Sequence, residues 1–164
     1  MRIVCTLLTL LMLALPASAQ SVFVVRHAER ADTSAGGSPM MASDPDLSET
    51  GKARAQSLAA ALKDARITAI FTTEFKRTRQ TAEPLAKALG LEITVVSARD
   101  MPALIEKVKG ATGNVLVVGH SNTLADVIAK LGVTESVKLE DSDYDNLFVV
   151  VKGDKPTLIR LHFR

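Results

Sequence analysis

Short β-branched runs alternate along the chain with apolar residues at helical spacing. Residues 21–25 are apolar and β-branched, which predicts a buried strand. Ala55, Leu58, Ala59 and Leu62 fall at i, i+3, i+4 and i+7 and predict a helix over 49–63, with Ser48 as its N-cap. Residues 68–72 form the next strand. Ala82, Leu85, Ala86 and Leu89 repeat the helical spacing up to Gly90, a natural stop; Pro84 inside this stripe predicts either a kink or a later helix start. A strand over 92–96 precedes a helix over 101–109, for which Asp100 is the candidate cap. Residues 114–118 make the most continuously apolar strand, and Leu124, Val127, Ile128 and Leu131 form a last stripe that stops at Gly132. Residues 147–152 and 157–162 flank Gly153-Asp154 and predict a terminal hairpin, whereas 31–46 carry Gly, Ser, Pro and Asp without period and read as a loop.

Strands alternating with helices predict an α/β three-layer sandwich, a mostly parallel sheet with helices on both faces. One domain is expected over 20–164. The first nineteen residues stand apart: Arg2, an apolar run over 3–15, Pro16, then the small-x-small pattern Ala17-Ser18-Ala19. This is the pattern of a signal peptide cut after Ala19, and it predicts an exported protein, periplasmic or extracellular, with no stable membrane insertion after cleavage. An uncleaved anchor is the alternative, although the apolar run falls short of the ~20 residues a span needs. Cys5 lies ahead of the run, which argues against lipidation at the cleavage site.

Charge and cysteine content narrow the picture. Losing Arg2 leaves nineteen basic against eighteen acidic residues, without a basic cluster, so nucleic acid is not an expected partner. Cys5 is the only cysteine, so a mature domain would have neither disulfide nor thiol nucleophile. The three histidines, His27, His120 and His162, form no metal-ligand spacing, and neither metal nor cofactor is expected.

In open α/β sheets, ligands bind beyond the carboxyl ends of the strands. The segments there are Arg26-His27-Ala28-Glu29-Arg30, Thr72-Thr73-Glu74-Phe75-Lys76-Arg77 and Gly119-His120-Ser121-Asn122. Two imidazoles and several guanidiniums on one sheet edge call for an anion between them, and a phosphoryl group suits arginine's bidentate geometry. Each residue alone has a plainer reading: a polar turn for His120, a solvated helical face for Lys76, Arg77 and Arg79. Their coincidence at matching topological positions favours the site.

Val25-Arg26-His27-Ala28-Glu29 resembles the signature of the histidine phosphatase superfamily, the phosphoglycerate mutase-like fold. Leu47-Ser48-Glu49-Thr50-Gly51, Arg77 followed by Gln80-Thr81-Ala82, and Val118-Gly119-His120-Ser121 resemble further blocks of it, in order, as in a small exported bacterial-type branch. The resemblance implies a nucleophilic His27 that carries a phosphohistidine. It implies that Arg26 and Arg77 hold the phosphoryl oxygens and that His120 donates to the transferring group. Ser121, Asn122 and Arg30 are further candidate substrate contacts, and Glu29 either orients His27 or pairs with Arg30. For the leaving-group proton, Asp100 is the nearest match and Glu74 the alternative, while Asp100 serves equally as a helix cap. Ala28 stands where the family commonly has glycine, which matters only if φ is positive there. The implied activity is metal-independent phosphomonoester hydrolysis on a phosphorylated small molecule or phosphoprotein. Mutase activity is disfavoured because no long insertion is available to keep water out.

Two other readings compete. The same fold could bind a phosphoryl group or anion without turning it over. An esterase would use Ser121, one of Asp141, Asp143 or Asp145, and His162, which occur in hydrolase order. Thr123 stands where its nucleophile turn needs a small residue, and that reading leaves Arg26, His27 and Arg77 unused.

Overall fold

The structure is a computed structural model and describes residues 20–31 and 44–163; the predicted signal peptide and most of the 31–46 loop lie outside them. Strands β1 (Ser21–Arg26), β2 (Ile67–Thr72), β3 (Ile93–Val95), β4 (Asn114–Gly119), β5 (Asn146–Val151) and β6 (Thr157–His162) form one sheet in the order β3-β2-β4-β1-β5-β6. β1, β2, β3 and β4 are mutually parallel, and β5 runs antiparallel to both β1 and β6. The central parallel strands β4 and β1 are largely buried, which explains their continuous apolar runs, whereas the edge strand β3 is mostly exposed.

Alternation along the strands sends side chains into two cores. Val22 and Val24 of β1, Val115 and Val117 of β4, and Phe148 and Val150 of β5 pack with Ile105, Val108, Leu124, Val127 and Ile128. These come from helices α3 (Met101–Gly110) and α4 (Ser121–Lys130). On the other face, Val25, Ile70, Leu116 and Leu147 meet Leu58, Ala59, Leu62, Ala82, Leu85 and Ala86. Those belong to α1 (Glu49–Leu62) and α2 (Lys76–Leu89). The three-layer α/β/α arrangement follows, with every predicted stripe turned inward. Among the described residues, no helix is long and apolar enough to cross a membrane.

Pro84 lies inside α2, which begins at Lys76; the later start is therefore overturned, and Gly90 ends the helix at φ 65°. Ser48 caps α1 by accepting from Gly51 N at 3.0 Å, and Asp100 caps α3 by accepting from Ala103 N at 3.0 Å. Gly51 has a further reason to be glycine. A Cβ there would sit 2.2 Å from the Glu29 carbonyl oxygen, so only hydrogen lets α1 start this close to the segment after β1. Ser48 N donates to that same carbonyl at 2.9 Å.

Candidate active site

The strand order places β4 between β1 and β2, so the three segments that follow these strands are neighbours at one sheet edge. His27 and His120, far apart in sequence, meet there with ring centroids 5.4 Å apart. Arg77, on the first turn of α2, reaches the same spot with Nη2 3.5 Å from His120 Nδ1. Arg26 ends β1, and it is buried together with both imidazoles.

Hydrogen bonds decide which nitrogen of His27 is available. Its Nδ1 lies 2.7 Å from the Ala28 carbonyl oxygen, which can only accept, so Nδ1 carries the proton and Nε2 keeps its lone pair. Burial pushes the pKa of His27 down to about 3; the Ala28 bond opposes this, and the charges of Arg77, His120 and Arg26 add to the lowering. His120 is pushed down to about 4, first by burial and then by Arg77, with Glu74 and Asp44 pulling the other way and Arg26 lowering it further. Desolvation thus outranks the guanidiniums in keeping both rings neutral.

The arginines are held from several sides. The Arg26 guanidinium lies 4.1 Å over the Tyr144 ring, and it donates to the carbonyls of Asp141 at 2.9 Å and Glu140 at 3.3 Å. Its Nη2 also donates to Tyr144 Oη at 3.3 Å. Its Nε is buried without a hydrogen-bond partner among the described residues, an unmet donor of the kind an oxyanion satisfies. Arg77 packs 4.3 Å from the Phe75 ring and pairs with Asp44 at 3.5 Å. Asp44 also accepts the Lys76 N–H at 2.8 Å, so it caps α2 across the chain where Phe75 has no side-chain acceptor to offer.

The motif residues between these groups set their spacing. Thr81 Oγ1 accepts from Ala28 N at 2.9 Å and donates to the Arg77 carbonyl at 2.7 Å, tying the residue after His27 to the turn that carries Arg77. Gln80 accepts from Leu47 N at 2.8 Å and donates to Asp46 at 2.9 Å. Glu29 forms a bidentate ion pair with Arg54, with bonds of 2.6 to 2.9 Å, a partner outside either expectation for it. Ala28 does not occupy the left-handed region; Arg66 is the only described non-glycine residue with positive φ.

The remaining candidates fall around this centre. Ser121 and Asn122 open α4 beside His120, and Arg30 makes a β-bridge with Leu47. Asp100 is engaged as the α3 cap, while Glu74 accepts from Ala98 N at 2.8 Å and its charge acts on His120. His162 pairs with Asp145 at 3.1 Å on β6. β6 is separated from β4 by β1 and β5, about 14 Å at ordinary strand spacing, so a Ser121–His162 dyad does not assemble. Among the described residues no three His, Cys, Asp or Glu side chains are grouped to hold a metal.

Thr73, Tyr144, Arg54 and Asp44 were not singled out by sequence reasoning. Thr81 could have been, since it sits inside a recognised block.

The family model of the histidine phosphatase superfamily (branch 1) matches residues 22–100, the stretch that supplies His27 and Arg77. Over that stretch, just under half of its length, the chain is similar to the histidine phosphatase superfamily. A relative named "Probable phosphoglycerate mutase GpmB", from Photorhabdus laumondii subsp. laumondii, is 42% identical over 72 residues, which is 44% of this chain. The match spans only 33% of that relative's own length. Among solved structures of similar fold, a mycobacterial glucosyl-3-phosphoglycerate phosphatase superposes with a TM-score of 0.65 at 16% identity, covering 87% of this chain and 97% of the other. The protein histidine phosphatase SixA, complexed with tungstate, gives 0.63 at 20% identity, covering 87% and 96%. At these identities the superpositions show the fold alone.

Proposed function

We propose that the chain is a phosphomonoester hydrolase acting through a phosphohistidine on His27. The observation that carries this reading is the meeting of two neutral imidazoles and Arg77 within hydrogen-bond and ring-contact distance at the edge where β1, β2 and β4 end. A neutral His27 with Nδ1–H fixed on Ala28 presents Nε2 as a nucleophile. In the first step the Nε2–P bond forms as the bond to the leaving oxygen breaks, and that oxygen takes a proton. In the second, water attacks phosphorus, the N–P bond breaks, and phosphate departs with Nε2 restored. Arg26 and Arg77 offset the charge on the phosphoryl oxygens throughout. For the leaving-group proton the favoured donor is Glu74, whose charge acts on His120, over Asp100, which is committed to capping α3. The substrate is a phosphorylated small molecule or a phosphoprotein. The apolar run over 3–15 and Ala17-Ser18-Ala19 favour export with cleavage after Ala19.

The test is trapping. Acid-quenched wild type incubated with a labelled phosphomonoester is expected to carry acid-labile phosphate, and His27→Ala, folded by circular dichroism, to carry none and to lose turnover. Arg77→Ala should lower the rate about 10²–10³-fold. EDTA should leave the rate unchanged. Tight anion binding without turnover of any activated ester would replace hydrolysis with a binding role; a requirement for added metal would overturn the mechanism.

A further inference from the structure

His120 is held at both nitrogens, and the two contacts fix where its proton lies. At Nδ1 the neighbour is Arg77 Nη2, 3.5 Å away, and a guanidinium nitrogen can only donate. At Nε2 the neighbour is Thr73 Oγ1, 3.0 Å away. A hydroxyl can do either, so the next links decide. Thr73 Oγ1 lies 2.9 Å from Thr78 Oγ1. Thr78 Oγ1 in turn donates to the carbonyls of Phe75 at 2.8 Å or Thr73 at 3.1 Å. Carbonyls end the chain because they have no proton to return. Three donors then match three acceptors in one direction only: Nε2–H to Thr73, Thr73 to Thr78, and Thr78 to a backbone carbonyl. Running the chain the other way would face Nδ1–H against Arg77 and take the Thr78 proton from its carbonyl.

We propose that Thr73 is a positioning residue that holds His120 in the Nε2–H form, so that Nδ1 engages a bound oxyanion only by taking up a proton. The groups facing the ring agree with this, since on balance they favour a neutral imidazole. Arg77 from α2 and Arg26 from β1 oppose a charge on His120, and the His27 ring lies against it with centroids 5.4 Å apart. Glu74 before α2 and Asp44 before α1 favour that charge, and the Phe75 ring lies edge-on at 5.3 Å. An oxyanion brought in beside Nδ1 reverses this balance. The inference rests on the phosphatase reading for its role in turnover, although its physical content is separate from catalysis.

The experiment is long-range proton–nitrogen spectroscopy of the histidine rings in the full chain, with His120→Gln to assign the signals, beside calorimetry of tungstate binding in buffers of different ionisation enthalpy. In the wild type, His120 is expected as the Nε2–H tautomer when empty and protonated at both nitrogens with tungstate, with uptake of about one proton per site. Thr73→Val should give a tautomer mixture and weaken tungstate binding about tenfold, and Thr73→Ser should restore both. A resting Nδ1–H form in the wild type overturns the proposal, as does a Thr73→Val protein with unchanged tautomer and affinity. If Thr73→Val fails to fold, the wild-type and Thr73→Ser spectra decide alone. A chain inactive on every ester yet showing this tautomer and proton uptake would remove the phosphatase reading and keep the positioning role; the converse result would do the opposite.

Discussion

At the ends of β1 and β4 two imidazoles stay uncharged among arginines, and this has a cost that depends on pH. In the unfolded chain both rings protonate near pH 6.5; in the fold His27 does so at about 3 and His120 at about 4. Between those values the unfolded state binds more protons than the native state, so stability is greatest above pH 6.5 and falls as the solution is acidified. At about 1.4 kcal/mol per pKa unit, the two rings together should remove about 2–4 kcal/mol between pH 6.5 and 5, before most carboxylates titrate. Urea midpoints measured across that interval are expected to drop, the drop to be roughly halved in His27→Gln, and saturating tungstate to offset it. A halved drop in the wild type would mean that one ring is solvated, and a flat profile that both are.

The elements around these rings are joined by small residues whose value lies in closeness. Gly51→Ala forces a methyl into the Glu29 carbonyl at 2.2 Å. It should cost about 1–3 kcal/mol in urea denaturation and lower activity by moving the segment after His27. Gly110→Ala, with nothing within 4 Å, is the control and should stay within about 0.5 kcal/mol of the parent. This scale also shows how far the sequence could be read. Helix stripes and strand runs are local patterns, and Ala55, Leu58, Ala59 and Leu62 turn inward as their spacing requires, with α1 ending within a residue of its expected end. The ring-bearing segments were legible because each follows a strand and sits in a family block. The partners were not: Thr73 lies 47 residues from His120, and Arg26 is 118 from Tyr144. No periodicity encodes such pairings, which depend on strand order. Of the two effects offered for Pro84, the later helix start was not realised, because what a proline does inside a helix depends on neighbours the sequence does not display.

Over the whole molecule, the antiparallel direction of β5 carries the preceding segment to the same edge as the ends of β1, β2 and β4. Tyr144 thereby becomes a wall for Arg26, so the segment before β5 completes a site whose reactive groups all come from earlier in the chain. Tyr144→Phe keeps the ring beneath the guanidinium and loses only the 3.3 Å hydroxyl bond, and should change KM for a phosphomonoester by less than about threefold. Tyr144→Ala removes both supports and should raise KM about tenfold with a smaller change in kcat. Equal effects of the two substitutions would assign the whole contribution to the hydroxyl.

The central place of β1 also bears on how the chain is built. Of the six strands it leaves the ribosome first, yet its two neighbours are β4 and β5, so neither flank can be closed until residues 114–119 and then 146–151 have been made. The nascent chain must therefore carry a bare, valine-rich ribbon through most of translation, the kind of segment that sticks to other chains. A holding chaperone, or slow release from the exit tunnel, would matter more for the yield of this protein than for one whose first strand pairs with its second.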